Sequence, residues 1–301
     1  MRQSRKQGQP IVAVDLGGTK ILAAVVSPQG EVIAREYRLT MAEEGPEAVI
    51  RRIIASIERV IKLANVRLSQ LTSVGIAAAG ALDSKEGIVS ASPNLPNWHD
   101  VPLRDTIGER LGVNAFLIND ASAAALGEHH FGAGKGVDDL IYITVGTGIG
   151  GGIIIGGRLY SGVCGTAGEL GHMSIDVNGI RCNCGNIGCL ETLASGVAVA
   201  REAISRIGQG AKTSMTKLVE GRVESITAQT VSLAAQGGDH LALDIITRAG
   251  TYLGIGMVNL VNLFNPEMII VGGGMAKMGD MLLFLGRPDL RERAFQLLTA
   301  V

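Results

Sequence analysis

The sequence predicts an α/β protein in which one strand–turn–strand device is used twice. A β-branched run, Ile11 to Asp15, ends in the turn Gly17-Gly18-Thr19-Lys20, and a second apolar run, Ile21 to Val26, comes next. The pattern restarts with Leu140 to Thr144, the turn Val145-Gly146-Thr147-Gly148, and Gly151 to Ile155. Setting Asp15-Leu16-Gly17-Gly18 against Thr144-Val145-Gly146-Thr147 places the hairpins 129 residues apart. That suggests two related halves, although glycine-rich hairpins are common enough that duplication and coincidence both stay open here. The third observation is helical periodicity between the strands: Ile50, Ile53, Ile54, Ile57, Val60 and Ile61 form one apolar face within Pro46 to Ala64.

Further elements lie between and beyond these. Val32 to Leu39 reads as a third strand after the turn at Gly30. Val74 to Ala78 is a strand ending near Gly80, Pro102 to Leu111 is helical, and Phe116 to Ile118 is a strand. Asn119-Asp120 leads into a helix from Ala121 to about Phe131. Met268 to Val271 is a late strand running into Gly272, Gly273 and Gly274. Two uncharged stretches have the length of a membrane span. Leu140 to Gly157 is too rich in glycine and reads as the second hairpin, and Ala249 to Pro266 reads as a buried core helix.

The chain has 301 residues, 47% of them hydrophobic, enough to bury one large core or two ordinary ones. Lys plus Arg number 27 against 28 for Asp plus Glu, a balance that gives no field for nucleic acid or anionic membrane. A local basic patch occurs only at Arg2, Arg5 and Lys6, in a short tail that reads as disordered. No apolar segment of signal-peptide type precedes the first strand, so a cytoplasmic location is expected.

In that reducing compartment a disulfide among Cys182, Cys184 and Cys189 is disfavoured, and C-x-C spacing would strain one. Three cysteines with His172 nearby suit tetrahedral zinc, and Gly185 and Gly188 let the loop turn around an ion. A free or bridged set is the alternative. Cys164 reads as a small buried residue.

The glycine turns would direct backbone N–H groups outward, as phosphate-binding nests do; a plain tight hairpin is the other reading. Thr19 and Thr147 add hydroxyls, Lys20 adds charge, and Asp15 could hold hydrated Mg2+. Gly146 to Gly151 also satisfies G-x-G-x-x-G, but a strand comes next where a dinucleotide fingerprint opens a helix, so the match is rejected. No G-x4-G-K-[ST] motif or credible Ser-His-Asp set occurs. Asp120 reads either as a helix N-cap or as a general base for an alcohol, and the two are compatible because a helix N-terminus favours negative charge. Glu169 and His172 share a face if their segment is helical, and a metal at the cysteines would fix where Glu191 points.

These segments together resemble the ROK sugar kinases, over nearly the whole chain. Asp15-Leu16-Gly17-Gly18-Thr19-Lys20 is similar to the first phosphate loop, and Leu117-Ile118-Asn119-Asp120-Ala121 to the segment carrying the catalytic base. Thr144 to Gly152 resembles the second phosphate loop, and Gly168-Glu169-Leu170-Gly171-His172 the sugar-contacting E-x-G-H motif. Cys182 to Glu191 matches C-x-C-G-x-x-G-C-x-E, the zinc motif. The resemblance implies the actin-like ATPase (ribonuclease H-like) fold: two related α/β domains, 1–119 and 120–301, with a cleft between them. It implies Asp120 as base for the sugar 6-hydroxyl. Asn94, Asn119, Glu169, His172 and Glu191 would hold the other hydroxyls, with Gly80 close to the ring. ATP and Mg2+ would be held by Asp15, Gly17, Gly18, Thr19, Lys20, Gly146, Thr147, Gly148 and Gly272 to Gly274. Structural zinc would sit on His172, Cys182, Cys184 and Cys189. A homodimer or homotetramer is expected.

Glucose is the expected substrate and ATP the donor. N-acetylmannosamine, N-acetylglucosamine and a non-catalytic sugar-binding role are the alternatives, fructose ranks lower, and polyphosphate is a second possible donor. Relatives that repress transcription carry a helix-turn-helix domain before the first phosphate loop; ten residues precede Ile11 here, so a repressor is not expected. The C-terminal part, with its Arg-rich stretch at 287–293, reads as short or altered against the family.

Overall fold

The structure is a computed structural model that describes residues 8–92 and 94–283. The basic tail at 1–6 and the Arg-rich stretch at 287–293 lie outside the described residues. The chain forms two compact units. One runs to Gly127 and takes back Ser161–Ala167; the other comprises Glu128–Tyr160 and the chain from Gly168 onward.

In the first unit, β1 (Ile11–Leu16), β2 (Lys20–Val26) and β3 (Val32–Leu39) form an antiparallel meander. The helix α1 (Pro46–Leu63) crosses over to β4 (Val74–Ala78), which pairs parallel with β1. A short hairpin, β5 (Ala81–Asp83) and β6 (Ile88–Ala91), precedes α2 (Leu103–Leu111), and β7 (Ala115–Asn119) pairs parallel with β4. The sheet order is β3-β2-β1-β4-β7. The helix α1 starts because Pro46 fits the first turn, where an N–H would lack a partner anyway. Of its predicted face, Ile50, Ile53, Ile57, Val60 and Ile61 are buried with Val12, Val14 and Ile76 of the sheet, Ile54 is half-buried, and Val49, outside the predicted set, joins them. Each such side chain contributes roughly 1.5–3 kcal/mol of burial. The helix α3 (Asp120–Phe131) leaves the end of β7.

The second unit repeats the arrangement. β8 (Leu140–Val145), β9 (Ile149–Ile155) and β10 (Arg158–Leu159) are antiparallel. Next come α4 (Leu190–Ala194), α5 (Gly196–Gly208), α6 (Met215–Leu218), α7 (Ala228–Gln236) and α8 (His240–Phe264). They lead to β11 (Met268–Gly272), which pairs parallel with β8, and then to α9 (Asp280–Leu283). The order β10-β9-β8-β11 matches β3-β2-β1-β4 strand for strand. The paired hairpins therefore occupy equivalent places in the two sheets. The turns differ in length: four residues separate the paired Leu16 and Ile21, and three separate Val145 and Ile149.

The predicted core helix is longer than expected, starting at His240 rather than Ala249. Among the described residues it is the one helix long and apolar enough to cross a membrane, but most of that window is buried within the protein. Its start is set by Asp239, whose carboxylate accepts from the Ala242 N–H at 3.0 Å and caps the helix. The other oxygen accepts from the Thr213 hydroxyl at 2.8 Å and from the Ser214 N–H and hydroxyl at 2.6 and 2.9 Å. Burial opposes ionisation of Asp239, yet these hydrogen bonds outweigh it and hold its pKa at about 2. A depressed carboxylate pKa stabilises the fold above the unfolded value, roughly 4, and that contribution is lost as pH falls through about 2. Asp239→Ala is expected to cost about 1–2 kcal/mol in urea unfolding at pH 7 and to flatten the stability loss between those two pH values. Unchanged midpoints at both pH extremes would contradict this.

Candidate active site

In the first unit the parallel strands β1, β4 and β7 finish side by side, with Leu16 level with Ala78 and Ala78 with Asn119. Ligands of α/β sheets gather beyond such carboxyl ends. Gly17 turns the chain there by donating its N–H to the Lys20 carbonyl at 3.0 Å. A Cβ on Gly18 would lie 2.5 Å from the Asn94 carbonyl oxygen and 2.7 Å from its Cβ, so glycine is what lets Asn94 reach the turn. Gly80 has φ +115°, and a side chain there would overlap the Ala91 carbonyl. Both glycines thus bring Ala91, Ser92 and Asn94 close to the strand ends, and the buried side chains of Leu95 and Trp98 anchor the chain just after Asn94.

The helix α3 is capped by Asn119, whose Oδ1 accepts from the N–H groups of Ala121 and Ser122 at 2.9 and 3.3 Å. Asp120 is the first helical residue rather than the cap, and one of its oxygens accepts the Ala121 N–H at 2.8 Å. Asp15, at the end of β1, keeps solvent access, but protein crowding raises its pKa and the nearby Asp120 charge raises it further. Two carboxylates of one sign beside an outward-turning glycine loop favour a divalent cation. The Lys20 side chain is exposed, as is Thr19.

In the second unit the turn at 146–148 is one residue tighter. Gly146 donates its N–H to the Gly148 carbonyl at 2.9 Å, and the Gly146 carbonyl accepts the Gly196 N–H at the start of α5 at 2.7 Å. The Ile149 N–H donates to the Glu191 carboxylate at 2.9 Å. A Cβ on Gly148 would overlap that same carboxylate. At the end of β11, a Cβ on Gly273 would sit 2.5 Å from the Val145 carbonyl and 2.8 Å from the Thr144 hydroxyl; one on Gly272 would overlap the Tyr142 hydroxyl. Close packing on β8 therefore requires these two glycines. Gly274 faces open space and begins a short 3-10 turn, Met275–Met278.

His172, Cys182, Cys184 and Cys189 converge, with all four ligand atoms within 4.8 Å of one another. His172 Nδ1 lies 3.6 Å from Cys182 Sγ, and the Sγ atoms of Cys184 and Cys189 are 3.6 Å apart. Ligands about 2.3 Å from tetrahedral zinc lie about 3.8 Å apart, so the donor set and its spacing fit zinc, and no cysteine is in a disulfide. Burial and the neighbouring thiols push the Cys189 thiol up to about 12, while the Asn186 N–H lowers Cys184. Gly188, with φ +63°, lets the loop close where a Cβ would overlap the Asp176 carbonyl. The segment at His172 is a single 3-10 turn, Leu170–His172, and not an α-helix. It still presents His172 Nε2 to Glu169, 3.9 Å away, while Nδ1 faces the thiols. Cys164, expected to be buried, is exposed and belongs to neither apolar core cluster.

A sequence model described as the ROK family matches residues 11–289. The chain belongs to the ROK family. The glucokinase of Thermotoga maritima is 40% identical over 275 residues, covering 90% of this chain and 84% of that protein. A ROK family glucokinase from Streptomyces griseus, solved in complex with glucose and AMPPNP, superposes with a TM-score of 0.82 at 36% identity, covering 97% of this chain and 92% of that one. The xylose repressor of Caldicellulosiruptor bescii is 36% identical over 293 residues, 97% of this chain and 73% of the repressor. The fold is accordingly that of the ROK glucokinases, the actin-like ATPase fold.

Sequence reading missed two fastenings of the ROK loops: the Glu191 bond to Ile149 and the hydroxyl of Thr40, which donates to the Gly17 carbonyl at 2.6 Å. Their partners are 42 and 23 residues away, beyond any local pattern.

Two outcomes are expected. Purified protein should carry close to one zinc per chain by elemental analysis, and Cys184→Ala should lose it; a metal-free wild type at full thiol count would refute the assignment. Gly148→Ala should displace the Glu191 carboxylate and speed amide exchange at Ile149 by about tenfold or more. Exchange at the wild-type rate would show that the Glu191 contact is not holding the turn.

Proposed function

We propose that this protein is an ATP-dependent kinase that phosphorylates the 6-hydroxyl of glucose. One juxtaposition carries the reading. Asp15 and Asp120 lie near enough for one charge to shift the other, at the carboxyl ends of β1 and β7, the strands on either side of β4, beside the Gly17–Gly18 turn. Glucokinase relatives at 37–40% identity over 90% of the chain support glucose as the substrate.

Asp120 takes the proton from the sugar 6-hydroxyl. One of its oxygens is occupied by the Ala121 N–H, which fixes the carboxylate and leaves the other oxygen to act. As that proton leaves, the hydroxyl oxygen attacks the γ-phosphorus of ATP, the bond to the bridging oxygen breaks, and ADP departs. Positioning and charge stabilisation supply most of the acceleration in such transfers. The amides of the first turn and of Thr147 and Gly148, with the hydroxyls of Thr19 and Thr147, face the phosphates; Lys20 adds positive charge. Gly272 and Gly273 keep β11 tight against β8, and Gly274 leaves room beside them. Asp15 would hold hydrated Mg2+, which neutralises phosphate charge during transfer.

For the sugar, Asn94 and Asn119 bind hydroxyls from the first unit, with Gly80 close to the ring. Asn119 offers its amide NH2, because its oxygen caps α3. Glu169, His172 and Glu191 bind hydroxyls from the second. Zinc on His172, Cys182, Cys184 and Cys189 would be closed to chemistry, with four protein ligands. Uncrosslinked cysteines and a phosphorylated-sugar product support a cytoplasmic location. A homodimer or homotetramer, as the family resemblance suggests, is read by light scattering.

The similarity to a xylose repressor over 97% of the chain favours a second reading, a sugar-binding protein without catalysis. A coupled ADP-release assay across hexoses and N-acetylhexosamines, with ATP or polyphosphate as donor, separates the two. Glucose with MgATP should be turned over best. Asp120→Asn should lower turnover by about 10²–10⁴ with glucose affinity kept near wild type. No sugar phosphate from wild type, with glucose still bound, selects the sensor; Asp120→Asn within a few-fold of wild type removes Asp120 as the base.

A further inference from the structure

We propose that Thr40 is a positioning residue for the first phosphate turn, aiming the Gly18 N–H at the nucleotide. The inference rests on the kinase reading but on different atoms. Thr40 is fully buried and polar, at the point where the chain leaves β3. It holds the turn at both ends. Its hydroxyl donates to the Gly17 carbonyl at 2.6 Å, and its N–H donates to the Thr19 carbonyl at 2.9 Å. Its own carbonyl accepts from the Arg52 guanidinium at 3.4 Å, and Arg52 is in turn paired with Glu44. Thr40 is thus fixed from behind while it fixes the turn in front.

Peptide geometry sets the direction of the Gly18 donor. The Gly17 carbonyl and the Gly18 N–H belong to one planar trans peptide, so they point in opposite directions. Drawing the carbonyl inward to the Thr40 hydroxyl turns the Gly18 N–H away from the core. Gly17 has already committed its own N–H to the Lys20 carbonyl. Gly18 itself cannot be steered by a side chain, and the space a Cβ would need is filled by Asn94. Without the hydroxyl, the Gly17 carbonyl loses the bond that fixes its direction, and the Gly18 donor is less preorganised when ATP arrives.

Thr40→Val keeps the shape and removes the donor; Thr40→Ser keeps the donor. Steady-state kinetics with MgATP and glucose, and calorimetric titration with AMPPNP, are run on the full chain. Thr40→Val should raise KM for ATP and Kd for AMPPNP about tenfold, the scale of one hydrogen bond. Both kcat and KM for glucose should stay within about twofold, and Thr40→Ser should restore nucleotide binding. A purely structural role predicts instead a lower Tm with glucose and ATP constants shifting together; that result, wild-type behaviour in Thr40→Val, or Ser no better than Val overturns the proposal. If Thr40→Val does not fold, hydrogen exchange on wild type decides. AMPPNP should slow exchange in peptides covering 17–20 and Thr40 together, and protection that spares Thr40 overturns it. Wild type that binds AMPPNP yet phosphorylates no sugar sinks the kinase reading and leaves the titration to judge Thr40; wild type that binds no AMPPNP sinks both.

Discussion

At the carboxyl ends of β1 and β8 backbone approaches backbone, or a carboxylate approaches backbone, more closely than any side chain allows. The Asn94 carbonyl occupies the space of a Cβ on Gly18, and the Glu191 carboxylate that of one on Gly148. Glycine is tolerated in these turns because the neighbouring segment fills the gap and removes the freedom that glycine would otherwise keep. The cost is that neither turn can be altered alone. A methyl at Gly18 moves Asn94, and one at Gly148 moves Glu191. Each turn expected to bind phosphate is therefore in van der Waals contact with a side chain or segment expected to bind sugar.

The two units solve one problem with different local chemistry. In the first, an eight-residue β3 carries the ladder far enough for Thr40 to strap the turn from the adjoining strand. In the second, β10 has two residues and cannot reach. The strap comes instead from Glu191 of α4 and from the N-terminus of α5, whose Gly196 N–H meets the Gly146 carbonyl. Shortening the second turn by one residue fits this change, since three residues held by a helix end need less slack than four held by a strand.

Much of this was legible in the sequence because the signals are local. The hairpins declare themselves by β-branched runs around glycines, α1 by its isoleucine spacing, and the metal cluster by cysteines within eight positions. Elements without a strong period were not legible. The hairpin β5–β6 is short and carries a register shift at Ala81, α6 is a single turn, and α5 and α7 are built largely on alanine, which marks no apolar face strongly. The start of α8 was missed because its first turns carry His240 and Asp244 at exposed positions, and only Asp239 marks the boundary. Asp120 shows the limit for site residues: sequence placed it at the helix start, but only structure shows Asn119 taking the cap.

Two anchors hold the segment that ends in Glu191, and their sizes separate them. Leu190 is fully buried against α8, where Gly256 leaves room for it, a contribution of roughly 1.5–3 kcal/mol. The loop from His172 to Cys189 carries glycine turns and thiols that repel one another's ionised forms, with Cys189 pushed up to about 12. Structural zinc at such sites contributes on the order of 10 kcal/mol, so with zinc bound that loop would depend on the ion far more than α4 does. Glu191, one residue past Leu190 and bonded to Ile149, is kept by packing and by the second turn. Zinc on the four ligands would keep His172, whose Nε2 lies 3.9 Å from the Glu169 carboxylate. Loss of the ion should therefore loosen the His172 face first, while the second turn survives on apolar packing.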